Sequence, residues 1–321
     1  MKIYKILLSA CLIGIIGVTV FAQDEKPLRV ETNLVSINVA VTDEKGNFVE
    51  NLTKDQFDIF DNKIKQQIEY FKAKDTPVSF GIVYDLHPTT TERTTAVLES
   101  LRQFTKNLHP TDDFFVTVFN ERGSLTLDFV PTEEQVRVNL AGKFSEPNSL
   151  YDAIYAAGSK IRTSKNLKRT LLIITDSADH HSKRSFSELE NEFKSFDVQI
   201  YAVIWDETKA FSYSDVNKGR KQRRYSSSDA TTFDRVAMLE LTLKNGGNSQ
   251  TPTIQNAQEL YEIFNQIASE MRKQYTIGFY PETLDNKQHQ LKIVLHSNEK
   301  KSKRWALSYR LGYQIQLNKP N

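Results

Sequence analysis

The sequence has almost no cysteine and no excess of charge of one sign. One cysteine, Cys11, is present among 321 residues, and 42 Lys and Arg against 40 Asp and Glu leave a net charge of +2. Because Cys11 lies in the first 22 residues, a chain that loses this segment holds neither a disulfide nor a thiol nucleophile. Without a strong net charge, neither nucleic acid nor an anionic membrane surface is favoured as a partner.

Enzyme motifs are missing as well. The chain contains no Gly-x-Ser-x-Gly elbow, no phosphate-binding glycine loop and no His-Glu-x-x-His motif, so we do not expect an enzyme. One weak arrangement imitates a nucleophile with its base, namely Ser177 and Ser182 beside His180 and His181. A hydrolase therefore remains the least favoured alternative.

The longest apolar run, Ile6–Phe21, lies at the start of the chain, after Lys2 and Lys5. It is short for a membrane span, and Val20-Phe21-Ala22 fits a small-residue cleavage site. We predict that residues 1–22 are a signal peptide cleaved near Ala22. The mature protein is then exported to the periplasm or the exterior, with no transmembrane span. Leu8-Ser9-Ala10-Cys11 resembles a lipoprotein box, which keeps a lipid-anchored form open.

Strand and helix patterns alternate over residues 75–275. The stretch from Val78 to Asp85 starts as a continuous apolar run, typical of a strand buried on both faces. Arg169–Thr175 is the most hydrophobic strand of the second half, and Gln199–Trp205 is the next buried strand. Residues 91–108, 149–163, 185–196, 233–244 and 258–275 carry helical apolar spacing. The fold class that this predicts is α/β, with a doubly wound, mostly parallel sheet. Residues 207–231 break the pattern with basic residues and serines, so we expect a disordered insertion there.

Shorter strand patterns occur on both sides of this region. We predict an N-terminal β segment over residues 23–74 and a C-terminal one over residues 276–321. Each is too small to bury much alone, so we expect them to pack together as a small β-sandwich-like unit. Within them, Thr53–Gln56 is a capping-box pattern. We also expect strands at 57–60 and 67–71 around Asp61-Asn62-Lys63, and in the α/β region a single strand at 125–130.

Polar residues follow the buried strands of the predicted sheet. Asp85, His87 and Thr89 come after the first strand, Asn148 lies near a helix start, and Asp176 follows the strand 169–175. Carboxyl ends of parallel strands meet at one edge, which is where open α/β sheets bind ligands. We therefore expect these segments to share one edge.

The segments Asp85-Leu86-His87-Pro88-Thr89, Pro147–Asp152 and Leu171–Asp176 resemble those of a von Willebrand factor type A (VWA) domain. With the motif at Tyr275–Pro281, the chain is similar to the exported bacterial VWFA-related proteins. The resemblance implies a Rossmann-like sheet and a metal-ion-dependent adhesion site with an Asp-x-Ser-x-Ser element. It implies binding or adhesion to a protein or cell-envelope partner.

The match to that metal site is partial. The resemblance implies these metal residues: Asp85, His87, Thr89, Asn148 and Asp176. Both aspartates and one hydroxyl are kept, whereas His87 replaces a serine and Asn148 replaces a threonine. The expected Mg²⁺ site is therefore degenerate. An alternative uses His87 with His180, His181 and Asp179, because imidazole and carboxylate together suit Zn²⁺ or another transition metal.

Overall fold

A computed structural model gives the structure of the protein. It describes residues 34–73, 76–86, 91–120, 123–126, 130–131, 149–176, 179, 182–204, 230–250, 257–296 and 305–315. The strands are β1 (Val35–Thr42), β2 (Phe57–Asp61), β3 (Ile64–Gln66), β4 (Tyr70–Ala73), β5 (Val78–Asp85), β6 (Asp113–Asn120), β7 (Gly123–Thr126), β8 (Val130–Pro131), β9 (Lys168–Thr175), β10 (Gln199–Ile204), β11 (Ser249–Gln250), β12 (Tyr275–Phe279), β13 (Gln288–Leu295), β14 (Ala306–Ser308) and β15 (Gly312–Gln314). The helices are α1 (Thr91–Lys106), α2 (Leu150–Arg162), α3 (Phe186–Lys194), α4 (Ala230–Lys244) and α5 (Ala257–Lys273), with a 3₁₀ turn at Lys54–Gln56.

A parallel sheet in the order β11-β10-β9-β5-β6 forms the centre of the fold. Every residue of β5 and β10 is buried, as is nearly all of β9, which explains why these strands carry apolar residues on both faces. On one face, Phe80 packs with Phe104 of α1 and Phe264 of α5. On the other face lie α2, α3 and α4. The predicted doubly wound α/β sheet is confirmed.

Two antiparallel sheets complete the described fold, in the orders β14-β1-β12-β4 and β15-β13-β2-β3. Each combines strands from both ends of the chain, and β1 lies between β12 and β14. Their inner faces share one apolar core that includes Ile37, Ile59, Ile277 and Ile293. The predicted β unit built from the N- and C-terminal segments is therefore confirmed, and we call it the antiparallel unit.

A buried polar cluster ties three strands of the antiparallel unit together. His289 of β13 places Nδ1 2.9 Å from both carboxylate oxygens of Asp61 on β2. The Tyr313 hydroxyl of β15 donates to Asp61 Oδ2 at 2.8 Å, and its ring stacks on His289. Because each polar group has a partner, the cluster can be buried without an unsatisfied donor or acceptor.

Buried side chains also join the antiparallel unit to the central sheet. Asn38 of β1 donates from Nδ2 to Asp197 Oδ2 at 2.7 Å and accepts from Thr276 Oγ1 at 2.8 Å. Lys168, the fully buried first residue of β9, donates from Nζ to the carbonyls of Met271 and Gln274, at 3.0 and 2.9 Å. A lysine there satisfies carbonyl groups at the end of α5 that have no helical partner.

Three local expectations need correction. The return strand after Asp61 begins at Ile64, and residues 67–69 lie outside any strand. The reason is a two-residue turn in which Asn62 and Lys63 both have positive φ, 47° and 74°, as in type I′ hairpins. The single strand expected at 125–130 is replaced by β7 and β8, which each pair antiparallel with β6. Helix α4 begins at Ala230, inside the predicted insertion.

Several predictions fall on other parts of the chain. The capping box at Thr53–Gln56 is confirmed, with its reciprocal contacts in place. The signal peptide at 1–22 and residues 207–229 of the insertion lie outside the described residues, and the domain boundaries stay predictions. Among the helices that the structure describes, none is both long and apolar enough to cross a membrane.

Candidate functional site

Asp85 and Asp176 lie at the same edge of the central sheet. Strands β5 and β9 are parallel neighbours with Tyr84 opposite Ile174, so Asp85 stands opposite Thr175, and Asp176 follows directly. The Thr175 hydroxyl donates to Asp85 Oδ2 at 2.9 Å, and both residues are buried. Asp176 is half-buried. The expectation that the ends of these two strands bring both aspartates to one edge agrees with this register.

The other residues of the predicted metal site lie outside the part of the chain that the structure describes. His87, Thr89 and Asn148, the other three proposed metal residues, lie outside the described residues, as do His180 and His181. The five-residue ligand set and the histidine alternative both stay predictions. What the structure adds is the surrounding loop and helix, which hold the edge in place.

The loop after β9 caps the N-terminus of α2. The backbone N–H of Tyr151 donates to Asp179 Oδ1 at 3.2 Å and to Ser182 Oγ at 3.1 Å. Ser182 also accepts from the Asp152 N–H at 3.2 Å and donates to Asp179 Oδ1 at 2.6 Å. These contacts satisfy first-turn N–H groups and place a carboxylate at the positive end of the helix. Ser182 and Asp179 thus act as a helix cap, which gives no support to a nucleophilic role for Ser182.

Asp152 completes this connection from the helix side. Its carboxylate accepts from the backbone N–H of Lys183 at 2.9 Å and of Arg184 at 3.2 Å. The loop after β9 and the first turn of α2 therefore hold each other through side chains from both. These hydrogen bonds explain the structural role of Tyr151 and Asp152 at the start of α2.

Asp234 of α4 is a further residue of this edge, and the sequence analysis did not find it. The Tyr151 hydroxyl donates to Asp234 Oδ1 at 2.6 Å, and the Asp179 N–H donates to Oδ2 at 3.1 Å. Burial and, to a smaller extent, the neighbouring Asp234 raise the pKa of the Tyr151 phenol well above its usual value. Tyr151 therefore stays protonated and remains the hydrogen-bond donor. Tyr151 and Asp234 are 83 residues apart, so no local sequence signal marks the pair.

Five carboxylate groups lie at the described part of this edge, beside Lys183 and Arg184 of the loop after β9. Carboxylates come from Asp85, Asp152, Asp176, Asp179 and Asp234. Oxygen ligands are what Mg²⁺ and Ca²⁺ prefer. However, no three His, Cys, Asp or Glu side chains among the described residues are grouped so that they could hold a metal ion. The chemistry of the donors suits a hard cation, but the described residues do not by themselves form its site.

No protein-family model matches this sequence, and no curated protein matches it. Similar solved structures were found. The ArnB paralog VWA2 from Sulfolobus acidocaldarius is 12% identical, with a TM-score of 0.41 over 87% of this chain and 75% of that chain. A von Willebrand factor type A structure from Catenulispora acidiphila is 8% identical, with a TM-score of 0.43 over 89% and 74%. The pilus adhesin SpaC from Lactobacillus rhamnosus GG, in its open conformation, is 9% identical, with a TM-score of 0.43 over 84% and 49%.

VWA domain proteins are thus among the structures similar to this chain, which agrees with the resemblance seen in the sequence. The α/β class itself rests on the strand order and on helices that cover both faces of the sheet.

Proposed function

We propose that this protein is an exported, non-enzymatic protein-binding module of the VWA type. Its contact surface is the carboxyl edge of the central sheet. The observation that carries the proposal is that Asp85 at the end of β5 and Asp176 directly after β9 lie at one edge, with Asp179 in the same loop as Asp176. The signal-peptide pattern of residues 1–22 supports export.

The way this edge is held supports a binding role. Asp179, Ser182 and Asp152 fix the loop after β9 to α2, and Asp234 fixes both to α4. A surface that is already ordered loses little conformational entropy when a partner docks. Its carboxylates favour a partner that presents Lys or Arg side chains, because complementary charge speeds association and excludes wrong partners.

The metal site of this module is degenerate, so the contact does not depend on Mg²⁺. The support is the sequence itself, in which His87 and Asn148 stand where the resemblance leads us to expect a serine and a threonine. The alternative, a Zn²⁺ site that uses His87, makes a separate prediction. Zn²⁺ then raises the melting temperature of the wild type, and His87→Ser abolishes the rise.

The test is capture of partners on the immobilised protein from an envelope extract of the source organism, in Mg²⁺ and in EDTA. Asp176→Lys reverses a charge at the edge. The matched control Glu282→Lys reverses an exposed charge on the loop between β12 and β13. We expect capture to survive EDTA, to survive Glu282→Lys and to be lost with Asp176→Lys.

Two outcomes would contradict the proposal in different ways. Equal capture by wild type and Asp176→Lys would show that the carboxyl edge is not the contact surface. Capture that requires Mg²⁺ and is lost with Asp85→Ala and Asp176→Ala would instead restore a metal-dependent adhesion site. Urea unfolding of each variant shows whether a loss of capture reflects a loss of folding.

A further inference from the structure

A cavity lies at the opposite edge of the central sheet, where the parallel strands begin. Its volume is about 350 Å³. Its charged lining residues are Arg169 near the start of β9, Asp197 just before β10, and Arg310 between β14 and β15. We call it the arginine pocket. It shares no lining residue with the candidate site at the carboxyl edge.

The two guanidinium groups keep hydrogen-bond donors for a ligand. Arg310 is 6% exposed. Its Nε donates to the Gly312 carbonyl at 3.1 Å, and its Nη1 lies 3.8 Å from Asp197 Oδ1, beyond hydrogen-bond distance. Arg169 donates from Nε to Ser164 Oγ at 3.0 Å. Within the described residues, no acceptor is hydrogen-bonded to the Nη atoms of either side chain. A guanidinium carries five N–H donors, so both side chains have donors left for an occupant.

The charges that line the pocket do not balance. Two guanidinium groups face one carboxylate, Asp197, and Oδ2 of that carboxylate is already bound by Asn38. Burial raises the pKa of Asp197 to about 6 although Arg310 and Arg169 oppose the rise. An excess of one positive charge shared by buried Arg310 and half-buried Arg169 is costly unless an anion compensates for it.

Part of the pocket lining is apolar. Leu34 and Leu167 are 37% and 54% exposed, which places them among the most exposed large hydrophobic residues described, and both line the cavity. Phe196 and Ile315 add further apolar surface. A ligand that covers these side chains removes apolar area from water, worth roughly 25 cal/mol per Å².

We propose that the arginine pocket binds a carboxylate attached to an apolar group, either a free organic acid or the C-terminal residue of a polypeptide. A planar carboxylate fits the fork of a guanidinium with two parallel hydrogen bonds. One negative charge neutralises the excess of one positive charge, whereas a phosphate dianion would exceed it. The apolar group lies against Leu34 and Leu167.

Isothermal titration of the full chain tests this assignment with four probes. They are N-acetyl-leucine, its neutral amide, an acetylated pentapeptide ending in leucine, and inorganic phosphate. We expect the two carboxylates to bind and the amide not to bind. The replacement Arg169→Gln lowers the affinity for both carboxylate probes by about tenfold or more, because it removes a charge-assisted hydrogen bond. The matched control, Arg102→Gln on the exposed face of α1, leaves affinity unchanged.

The two carboxylate probes also distinguish a free organic acid from the C-terminus of a polypeptide. Binding of the pentapeptide about tenfold tighter than N-acetyl-leucine identifies a polypeptide C-terminus, and equal affinities identify a free acid. Absence of binding by both carboxylates, equal binding of the acid and its amide, or unchanged affinity in Arg169→Gln would each overturn the proposal. Phosphate that binds as tightly as N-acetyl-leucine would overturn the apolar carboxylate as the ligand class. Arg169 is half-buried, and urea unfolding confirms that its variant folds.

Discussion

The buried carboxyl of Asp197 makes the stability of the protein depend on pH in an unusual direction. Desolvation raises its pKa from 3.8 to about 6 in the folded protein. Between those values the folded state binds a proton that the unfolded state has lost, so stability falls as pH rises through this window. The contribution of Asp197 is therefore complete below about pH 4 and lost above about pH 6.

The size of the effect follows from the shift. A change of about two pKa units at about 1.4 kcal/mol per unit corresponds to about 3 kcal/mol. Other carboxylates change stability with pH in the same range, so wild type alone does not isolate this group. Asp197→Asn supplies the reference, because its side chain has a similar shape, can still accept from Asn38 and does not titrate.

The assay is urea unfolding of both proteins at intervals from pH 4 to pH 7.5. Relative to Asp197→Asn, wild type should lose about 2 to 3 kcal/mol of unfolding free energy over this range. The m-values should agree, which shows that both unfold from states of similar compactness. A difference that stays constant with pH would refute the reasoning. A wild type that gains stability relative to the variant would show that the pairing with Arg310 outweighs desolvation.

Three further predictions concern single contacts, each measured as the loss of unfolding free energy in urea. Lys168→Met removes the donor to two carbonyls at the end of α5 and should cost about 2 to 4 kcal/mol; a loss below about 1 kcal/mol would show that water or another donor replaces the amine. Gly247→Ala should cost about 3 kcal/mol or more, because its Cβ would stand 2.6 Å from the Ile200 carbonyl carbon and overlap its oxygen; a neutral result would mean that β10 and β11 can separate freely. Thr175→Val removes the hydrogen bond to buried Asp85 and should cost about 1 to 3 kcal/mol. Its control, Thr105→Val, removes a hydrogen bond to the Arg102 carbonyl at a partly exposed position of α1 and should stay within about 0.5 kcal/mol; equal losses would contradict the role given to Thr175.

The central strands could be predicted because burial on both faces leaves a direct mark on the sequence. Val78–Asp85 and Lys168–Thr175 are almost entirely buried, so the residues in the middle of each strand are apolar on both faces, without alternation. Helices α1 and α5 were equally visible, since their buried residues recur at helical spacing. The turn around Asn62-Lys63 was predicted, but the start of the return strand at Ile64 was not, because lysine rarely adopts positive φ and a two-residue turn was therefore not expected.

The candidate site was only partly visible for a different reason. Asp85 and Asp176 follow buried strands, so their shared edge could be inferred from the order of strands and helices. Tyr151 and Asp234 meet only through the tertiary fold, as do Arg169 and Arg310 in the arginine pocket. Neither pair has a fixed sequence spacing. Contacts of this kind are set by how distant elements pack, which a pattern in one sequence does not record.

The position of β1 has a consequence for how the molecule is made. This early strand is held on both sides by β12 and β14, which leave the ribosome only after all strands of the central sheet. Until they arrive, β1 presents an unpaired edge on which another chain could assemble. Closure of the antiparallel unit must wait for contacts between opposite ends of the polypeptide, which makes it a slow, late event. Until β12 and β14 have been synthesised, the protein should therefore depend on a chaperone or another binding partner that covers the edge of β1.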